Sequence, residues 1–162
     1  MADVMRTSMS PLDRRLQPAA PTGLREFLSF RLGSDIHAVE LARIREIVGS
    51  PPLTEVPRAP SDVIGICSVR GLLVTVVDLR RRLRLPEAPA SNMSRILLAN
   101  TDLGEVMGLF VDEVRQVIRL AAAEIEVTAH VLGGDLADHV LGVGRPHGEF
   151  IILLDLDSIV GT

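Results

Sequence analysis

The chain has 162 residues, a formal net charge of −4 and a hydrophobic content of 47%. Its acidic balance argues against a nucleic-acid surface, because non-specific affinity for phosphates comes from clustered Lys and Arg. One cysteine rules out an internal disulfide framework, and no apolar run approaches the ~20 residues of a spanning helix. Composition therefore predicts a soluble, cytoplasmic protein without membrane insertion.

The first ordered elements are predicted after a tail. Residues 1–23 hold three prolines and mixed charges without an apolar period, which predicts a flexible tail. From Leu24 the side chains alternate as in a strand, and residues 36–41 fit the returning strand of a hairpin. Residues 42–48 stay ambiguous between a helical turn and a strand. Four prolines within residues 49–60 predict a loop.

A repeated segment organises the rest of the chain. Residues 62–83 contain two apolar runs around a turn at Gly71, followed by an Asp-Leu step, and the same design returns at residues 139–160. Backbone geometry, rather than hydrophobicity, selects glycine and a capping aspartate. The match therefore predicts one β unit used twice, with Asp78 and Asp155 as helix caps. The matched positions are Val63/Val140, Gly65/Gly142, Gly71/Gly148, Asp78/Asp155 and Leu79/Leu156.

Short strands with frequent turns are predicted throughout. Residues 79–85 predict a short helix that ends before Pro86, and residues 86–94 predict the connector between the two halves. Turn signals every eight to twelve residues indicate a barrel or a sandwich. Further strands are predicted at 95–100, 105–111, 139–143 and 150–154, with 112–118 in the place of 42–48 and a loop or short helix at 121–132.

The sequence contains no recognisable catalytic motif. It lacks the Gly-x-Ser-x-Gly elbow, the phosphate-binding loop and the His-Glu-x-x-His helix. Capping explains Asp78 and Asp155, and a solvated helix face explains the arginine run at residues 80–84. We therefore predict no enzymatic activity, no catalytic residue and no bound metal. The alternative is an acid/base or metal-dependent enzyme that uses Asp112 with the histidines, which are His37, His130, His139 and His147.

Four segments resemble the CheW-like chemotaxis coupling proteins, in that family's order and spacing over residues 24–160. In this chain, the segment VIGICSVRGLLVTVVDLRRRL resembles the family's signature hairpin, which ends in Val-Asp-Leu-Arg. The segment FLSFRLGSDIHAVELARIREIV resembles the family's opening hairpin. The family's second-half segment resembles MGLFVDEVRQVIRL, and its closing hairpin and helix resemble LGVGRPHGEFIILLDLDSIV. The chain departs from the family pattern at Ser68, Val69 and Thr75, where the family has Asn, Leu and often Pro.

The resemblance implies a mainly β fold of two five-stranded SH3-like β-barrels with short helices, after a flexible tail at residues 1–23. It implies a CheW-like domain at residues 24–162, with pseudo-repeated barrel halves at roughly 24–88 and 94–162. We expect this domain to be a free-standing module.

The resemblance also implies a function. CheW-like proteins have no catalytic activity and need no cofactor. They bridge the cytoplasmic tip of a methyl-accepting chemoreceptor to the regulatory domain of a CheA-type histidine kinase, within membrane-associated arrays. Self-association into array rings stays open. The alternative within the family is a scaffold of the same fold in a surface-motility or developmental kinase pathway.

Candidate site residues follow from the resemblance by position. A helical receptor tip would lie in an apolar groove between the barrels, where Gly108 would leave room for the helix and core packing is the alternative for the aliphatic residues. Glu46 and Arg70 would form an ion pair whose loss costs roughly 3–5 kcal/mol if it is partly buried and about 0–1 if it is exposed. Asp112 would cap a turn or contact a partner. The groove residues are Ile44, Gly108, Val114 and Val117.

Overall fold

The computed structural model describes residues 23–49, 51–127 and 138–160, so the predicted tail lies outside it apart from Gly23. The described residues form ten β-strands, which confirms the predicted mainly β class. The strands are β1 (Leu24–Leu32), β2 (Asp35–Glu40), β3 (Ile44–Val48), β4 (Val63–Val69), β5 (Leu72–Asp78), β6 (Arg95–Asn100), β7 (Val106–Val111), β8 (Glu113–Ala121), β9 (Val140–Gly144) and β10 (Ile151–Leu154). Helix α1 spans Leu79–Arg82, helix α2 spans Leu156–Val160, and 3₁₀ turns cover Leu41–Arg43, Ala122–Glu124 and Pro146–Gly148.

The strands form two five-stranded sheets. Sheet I has the order β8-β1-β2-β10-β9, and sheet II has the order β3-β6-β7-β5-β4. Each sheet contains a parallel pair, β2–β10 in sheet I and β5–β7 in sheet II. Parallel neighbours cannot be joined by a hairpin, and here each pair takes one strand from each sequence half. Each sheet therefore combines strands of both sequence halves, so neither half forms a barrel by itself, in contrast to the expectation. The division into halves at 24–88 and 94–162 stays a prediction.

A short backbone bridge closes each sheet into a barrel. The segment after β3 runs beside β4, and Thr54 in this segment exchanges two backbone hydrogen bonds of 2.8 Å with Ile66 of β4. The segment after β8 runs beside β9, and Glu126 in this segment exchanges two backbone hydrogen bonds of 2.8 Å with Val143 of β9. Ile66 and Val143 are separated by the repeat spacing. The two closures confirm the predicted pair of five-stranded barrels, here called barrel I (sheet I) and barrel II (sheet II).

Among the residues that the structure describes, buried apolar side chains form three clusters: the interior of barrel I, the interior of barrel II, and a seam between the barrels. Neighbouring residues on the central strands belong to different clusters. Phe27 lies inside barrel I and Leu28 in the seam, while Ile96 lies inside barrel II and Leu97 in the seam. A strand that is buried on both faces has a continuous apolar run instead of an alternating one. This double burial explains the unbroken run Ile151–Leu154.

Local sequence signals are confirmed where turn and cap chemistry decides the conformation. The Arg70-Gly71 turn has φ values of 51° and 81°, and two positive φ angles suit the tight hairpin that joins twisted strands. Asp78 caps α1, because its carboxylate accepts a 2.9 Å hydrogen bond from the Arg80 N–H. The ambiguous segment 42–48 is mostly strand β3, and α1 ends three residues before the predicted residue 85. Residues 128–132 of the predicted loop lie outside the described residues.

Candidate functional site at the seam between the barrels

Two of the predicted groove residues lie on the seam side of β8. Leu28 pairs with Val117, and Phe30 pairs with Val114, across β1 and β8. Directly opposed residues project to the same face of a sheet, and Leu28 and Phe30 belong to the seam cluster. Val114 packs against this cluster, whereas Val117 is 42% exposed. Val117 therefore forms a rim of the seam that a partner can reach.

Ile44 lies at the start of β3, immediately after the chain enters barrel II. Its side chain is only 3% exposed and belongs to the seam cluster. The structure thus gathers Ile44, Val114 and Val117 at one seam, with Ile44 in its core and Val117 at its surface.

Gly108 faces away from the seam. A Cβ at this position would lie 2.8 Å from Cγ2 of Ile96 and 3.1 Å from Cγ2 of Val76, and both residues fill the interior of barrel II. An added methyl group there would overpack the core. The expectation that Gly108 leaves room for a receptor helix is corrected: this glycine leaves room for side chains of the barrel itself.

Glu46 and Arg70 form the predicted ion pair, in which Arg70 Nη1 donates to Glu46 Oε1. The Arg70 side chain is 74% exposed, so the pair belongs to the exposed class and contributes about 0–1 kcal/mol. A shallow pocket beside the pair is lined by β3, the following loop and the β4–β5 turn, with Val48, Pro51 and Ser68 among its residues.

Asp112 is the single residue between β7 of barrel II and β8 of barrel I, and it is 8% exposed. The Arg80 Nε donates to its Oδ1 at 2.8 Å, and the Arg80 Nη2 donates to its Oδ2. The Gly33 N–H, in the β1–β2 turn, donates to Oδ2 at 2.7 Å. Asp112 therefore caps a turn, which is one of its predicted roles, and also holds Arg80. The Arg80 side chain is 12% exposed, so the predicted solvated helix face is wrong for this arginine.

The electrostatics of this pair oppose a role in proton transfer. Burial acts to raise the pKa of Asp112, but the Arg80 guanidinium, the Gly33 N–H and the Arg31 charge together hold it below its ordinary value. The hydrogen bond to Asp112 raises the pKa of Arg80. Efficient general acid–base catalysis needs a pKa near the working pH, which neither group has. The pair is a bidentate, charge-assisted contact.

A second ion pair lies at the other connection between the barrels, with the arginine on the connection and the aspartate on the helix. Arg43, in the 3₁₀ turn between β2 and β3, donates from Nη2 to Oδ1 of Asp157 on α2 at 2.5 Å. Its Nε and Nη2 also donate to the Asn100 carbonyl at 3.0 and 2.8 Å. The bond to Asp157 raises the pKa of Arg43 and lowers the pKa of Asp157. This pair is more open than the first, with side chains that are 23% and 44% exposed.

Sequence reasoning missed both pairs, although the repeat contained a signal for them. Arg80 and Asp157 are 77 residues apart, as are the matched residues Leu79 and Leu156. At this position of the repeat, α1 has an arginine and α2 has an aspartate, and the neighbouring leucines match. The sequence therefore indicates that the two short helices have equivalent positions and opposite charges.

The candidate histidines lie in different environments. His37 is 1% exposed and stacks on Phe30 with a ring-centroid distance of 6.3 Å. Neither ring nitrogen has a partner at hydrogen-bond geometry, although the backbone of Asp35 lies near enough to favour the protonated ring. Burial dominates and lowers the pKa of His37 to about 4, against the opposing charges of Asp35 and Asp112. His37 is therefore neutral at pH 7.

Two other predictions concern the C-terminal repeat. Asp155 donates its N–H to the His139 carbonyl at 2.7 Å, and its own carbonyl accepts from the Ile159 N–H at 3.2 Å; a cap by its carboxylate stays a prediction. His139 Nδ1 lies 2.7 Å from Ser158 Oγ, and His130 lies outside the described residues.

Within residues 23–49, 51–127 and 138–160, no three His, Cys, Asp or Glu side chains are close enough to hold a metal ion.

Known proteins match nearly the whole described chain. The CheW-like domain family model matches residues 26–162. The chemotaxis protein CheW of Rhizobium meliloti is 31% identical over 137 residues, which cover 85% of this chain and 88% of that protein. Protein FrzA of Myxococcus xanthus is 34% identical over 140 residues, which cover 85% and 86%. The crystal structure of the scaffolding protein TtCheW from Thermoanaerobacter tengcongensis matches with a TM-score of 0.78 at 27% identity, over 85% of this chain and 93% of that one. Neither α1 nor α2 has the length and apolar character needed to cross a membrane.

Proposed function

Because this chain belongs to the CheW-like family, we propose that it is a non-enzymatic adaptor that couples chemoreceptor tips to the regulatory domain of a CheA-type histidine kinase. The observation that carries the proposal is the family match over residues 26–162, which includes both barrels except for the first two residues of β1. The adaptor works in the cytoplasm, at membrane-associated receptor arrays, and needs no cofactor.

The receptor side of the adaptor is the seam at β8. Val117 offers an exposed apolar side chain there, and Val114 and the buried Ile44 continue the apolar surface inward. An amphipathic helix binds such a strip by laying its apolar face against it. The kinase regulatory domain, which the family resemblance implies to have the same fold, binds at barrel ends away from this rim.

The test is autophosphorylation of the cognate kinase in receptor-containing membranes, with and without this protein. We expect kinase activity to rise, and to respond to receptor ligand, only when the protein is present. Direct binding to the kinase without any change in activity would overturn the coupling role. Val117→Asp should abolish the response, and Leu103→Asp is the matched control, because Leu103 is 85% exposed at the β6–β7 turn, outside the seam.

The similarity to protein FrzA favours a second candidate, since that relative is not named as a chemotaxis protein. In this case the same adaptor serves a surface-motility or developmental kinase pathway. Affinity for two purified receptor tips, one from a chemotaxis system and one from the alternative pathway of the same organism, separates the two candidates.

A further inference from the structure

The chain passes between the barrels at two points within the part that the structure describes. It leaves barrel I through the 3₁₀ turn Leu41–Arg43, and it returns from barrel II through Asp112. At the return, the Asp112 carboxylate is bonded to both barrels. It accepts from Arg80 of α1, which follows β5 of barrel II, and from Gly33, which lies in the β1–β2 turn of barrel I.

Arg43 makes the equivalent connection at the first passage. Its guanidinium donates to Asp157 of α2, which follows β10 of barrel I, and to the carbonyl of Asn100 at the end of β6 in barrel II. Arg80 and Asp157 occupy equivalent positions in the repeat. Each passage therefore contains an ion pair between the connecting segment and a short helix. The acidic residue lies on the connecting segment at one passage and on the helix at the other.

Hydrophobic attraction across the apolar seam is non-directional. A bidentate bond between a guanidinium and a carboxylate is directional. The exchanged charges also select one arrangement: if α1 and α2 swapped passages, Arg80 would meet Arg43 and Asp157 would meet Asp112. Like charges brought together in this way are strongly unfavourable.

We propose that two ion pairs, Arg80–Asp112 and Arg43–Asp157, hold the two barrels in a single relative orientation. The buried Arg80–Asp112 pair, with side chains that are 12% and 11% exposed, has the larger effect. A fixed orientation lets a partner bound at one barrel constrain a partner bound at the other. This last consequence rests on the proposed function, whereas the orientation itself does not.

The orientation is measured on the isolated full chain by the distance between two spin labels. Leu73→Cys places one label on β5 of barrel II, where the native residue is 74% exposed, and Gln116→Cys places the other at an exposed position of β8 in barrel I. The buried Cys67 is replaced by Ala in every sample. The test variant is Arg80→Met with Asp112→Asn, which removes both charges and keeps an amide oxygen for the Gly33 N–H. The control is Arg119→Met with Glu26→Gln, an ion pair within barrel I.

We expect the test variant to keep its unfolding midpoint and to show a distance distribution about twice as wide as that of the parent, since two orientations of similar energy become populated. The control variant should match the parent. Arg80→Lys keeps the charge without the planar fork and should give an intermediate width. A distribution in the test variant as narrow as in the parent, or equal broadening in the control, would overturn the inference.

A functional measurement on the same variants distinguishes this inference from the proposed function. In receptor membranes, we expect the test variant to bind receptor and kinase with affinities close to those of the parent and to activate the kinase at least about fivefold less, the lower end of typical couplings between sites. If the parent itself fails to activate the kinase, the proposed function falls and the distance result stands. Full activation by a variant with a broadened distribution would show that orientation does not carry the signal.

Discussion

Gly65 and Gly142, which are 77 residues apart, each allow a neighbouring backbone to approach more closely than any side chain permits. A Cβ on Gly65 would lie 2.9 Å from the Thr54 carbonyl oxygen, and a Cβ on Gly142 would lie 2.6 Å from that of Glu126. Thr54 and Glu126 are the residues that close the two barrels. Barrel closure is therefore the physical reason for this repeated glycine.

Gly142→Ala should lower the free energy of unfolding by about 1–3 kcal/mol, the usual cost of overpacking, because the obstacle is backbone that cannot rotate away. Urea denaturation followed by circular dichroism measures the change. Gly49→Ala is the matched control, since nothing lies within 4 Å of its added methyl group, and it should stay within about 0.5 kcal/mol of the parent. Equal losses in both variants would show that the closure is not the cause.

His37 should make the stability of the protein depend on pH. Its pKa is about 4 in the folded state against 6.5 for an ordinary histidine, so the unfolded chain binds the proton more readily between these values. Stability is therefore fully present above pH 6.5 and is lost as the pH falls towards 4, by about 3 kcal/mol in total.

His37→Leu tests this assignment, because it removes the titrating group and both unpartnered nitrogens. The variant should be more stable than the parent at pH 7 by about 1–3 kcal/mol, the cost of leaving a buried polar group unsatisfied. Its stability should also vary less between pH 6.5 and pH 4. Parallel stability curves for parent and variant across this range would exclude His37 as the source.

Val117→Asp and Ile44→Asp should have different consequences, although the family resemblance groups these residues. Val117 is 42% exposed, so its aspartate stays solvated and should weaken receptor binding without loss of fold. Ile44 is 3% exposed, and a buried, unpaired carboxylate is costly. Ile44→Asp should therefore unfold the seam and reduce binding to receptor and kinase together. Selective loss of receptor binding in a stably folded Ile44→Asp variant would contradict the burial of this residue.

Removing either member of the Glu46–Arg70 pair should change stability by no more than about 1 kcal/mol, because Arg70 is 74% exposed. Thermal unfolding of Glu46→Ala and Arg70→Ala, each measured at low and at high salt, checks this value. A loss of 3 kcal/mol or more would place the pair in the buried class. If stability holds while receptor affinity falls, the pair acts on the partner surface.

The features that sequence predicted correctly depend on neighbouring residues. The Asp78 cap, the Gly71 turn and the strand Arg95–Asn100 each follow from the chemistry of a few adjacent positions. The local patterns indicated a barrel or a sandwich without deciding between them. The arrangement of two paired barrels was predicted from the family resemblance.

The missed features depend on contacts between distant residues. The pairing of β2 with β10 joins opposite ends of the chain, and no local signal specifies it. Arg80 looks like a solvated residue in its own segment, because its partner Asp112 lies 32 residues away. Gly108 has an ordinary sequence context, and only the packing of Ile96 and Val76 shows why a side chain is excluded.

Asp112→Asn should be the most destabilising of the conservative changes considered. The amide keeps the shape and can still accept from the Gly33 N–H, but it removes the carboxylate that pairs with Arg80. The Arg80 guanidinium, 12% exposed, then retains the weaker attraction of Asp78. Breaking a buried pair from one side typically costs about 3–5 kcal/mol, whereas removing both charges is often neutral. Adding Arg80→Met should therefore restore most of the lost stability, and a double-mutant cycle in urea measures the coupling.

The pH dependence gives an independent check on the same pair. The pKa of Asp112 is lowered from 3.8 in the folded state, so its contribution is present above pH 3.8 and is lost as the pH falls through the lowered value. Parent protein should lose stability in this acid range more steeply than the double variant, which has no carboxylate at position 112. Identical acid profiles, or a coupling energy near zero, would mean that water already screens this pair and that its burial has no energetic consequence.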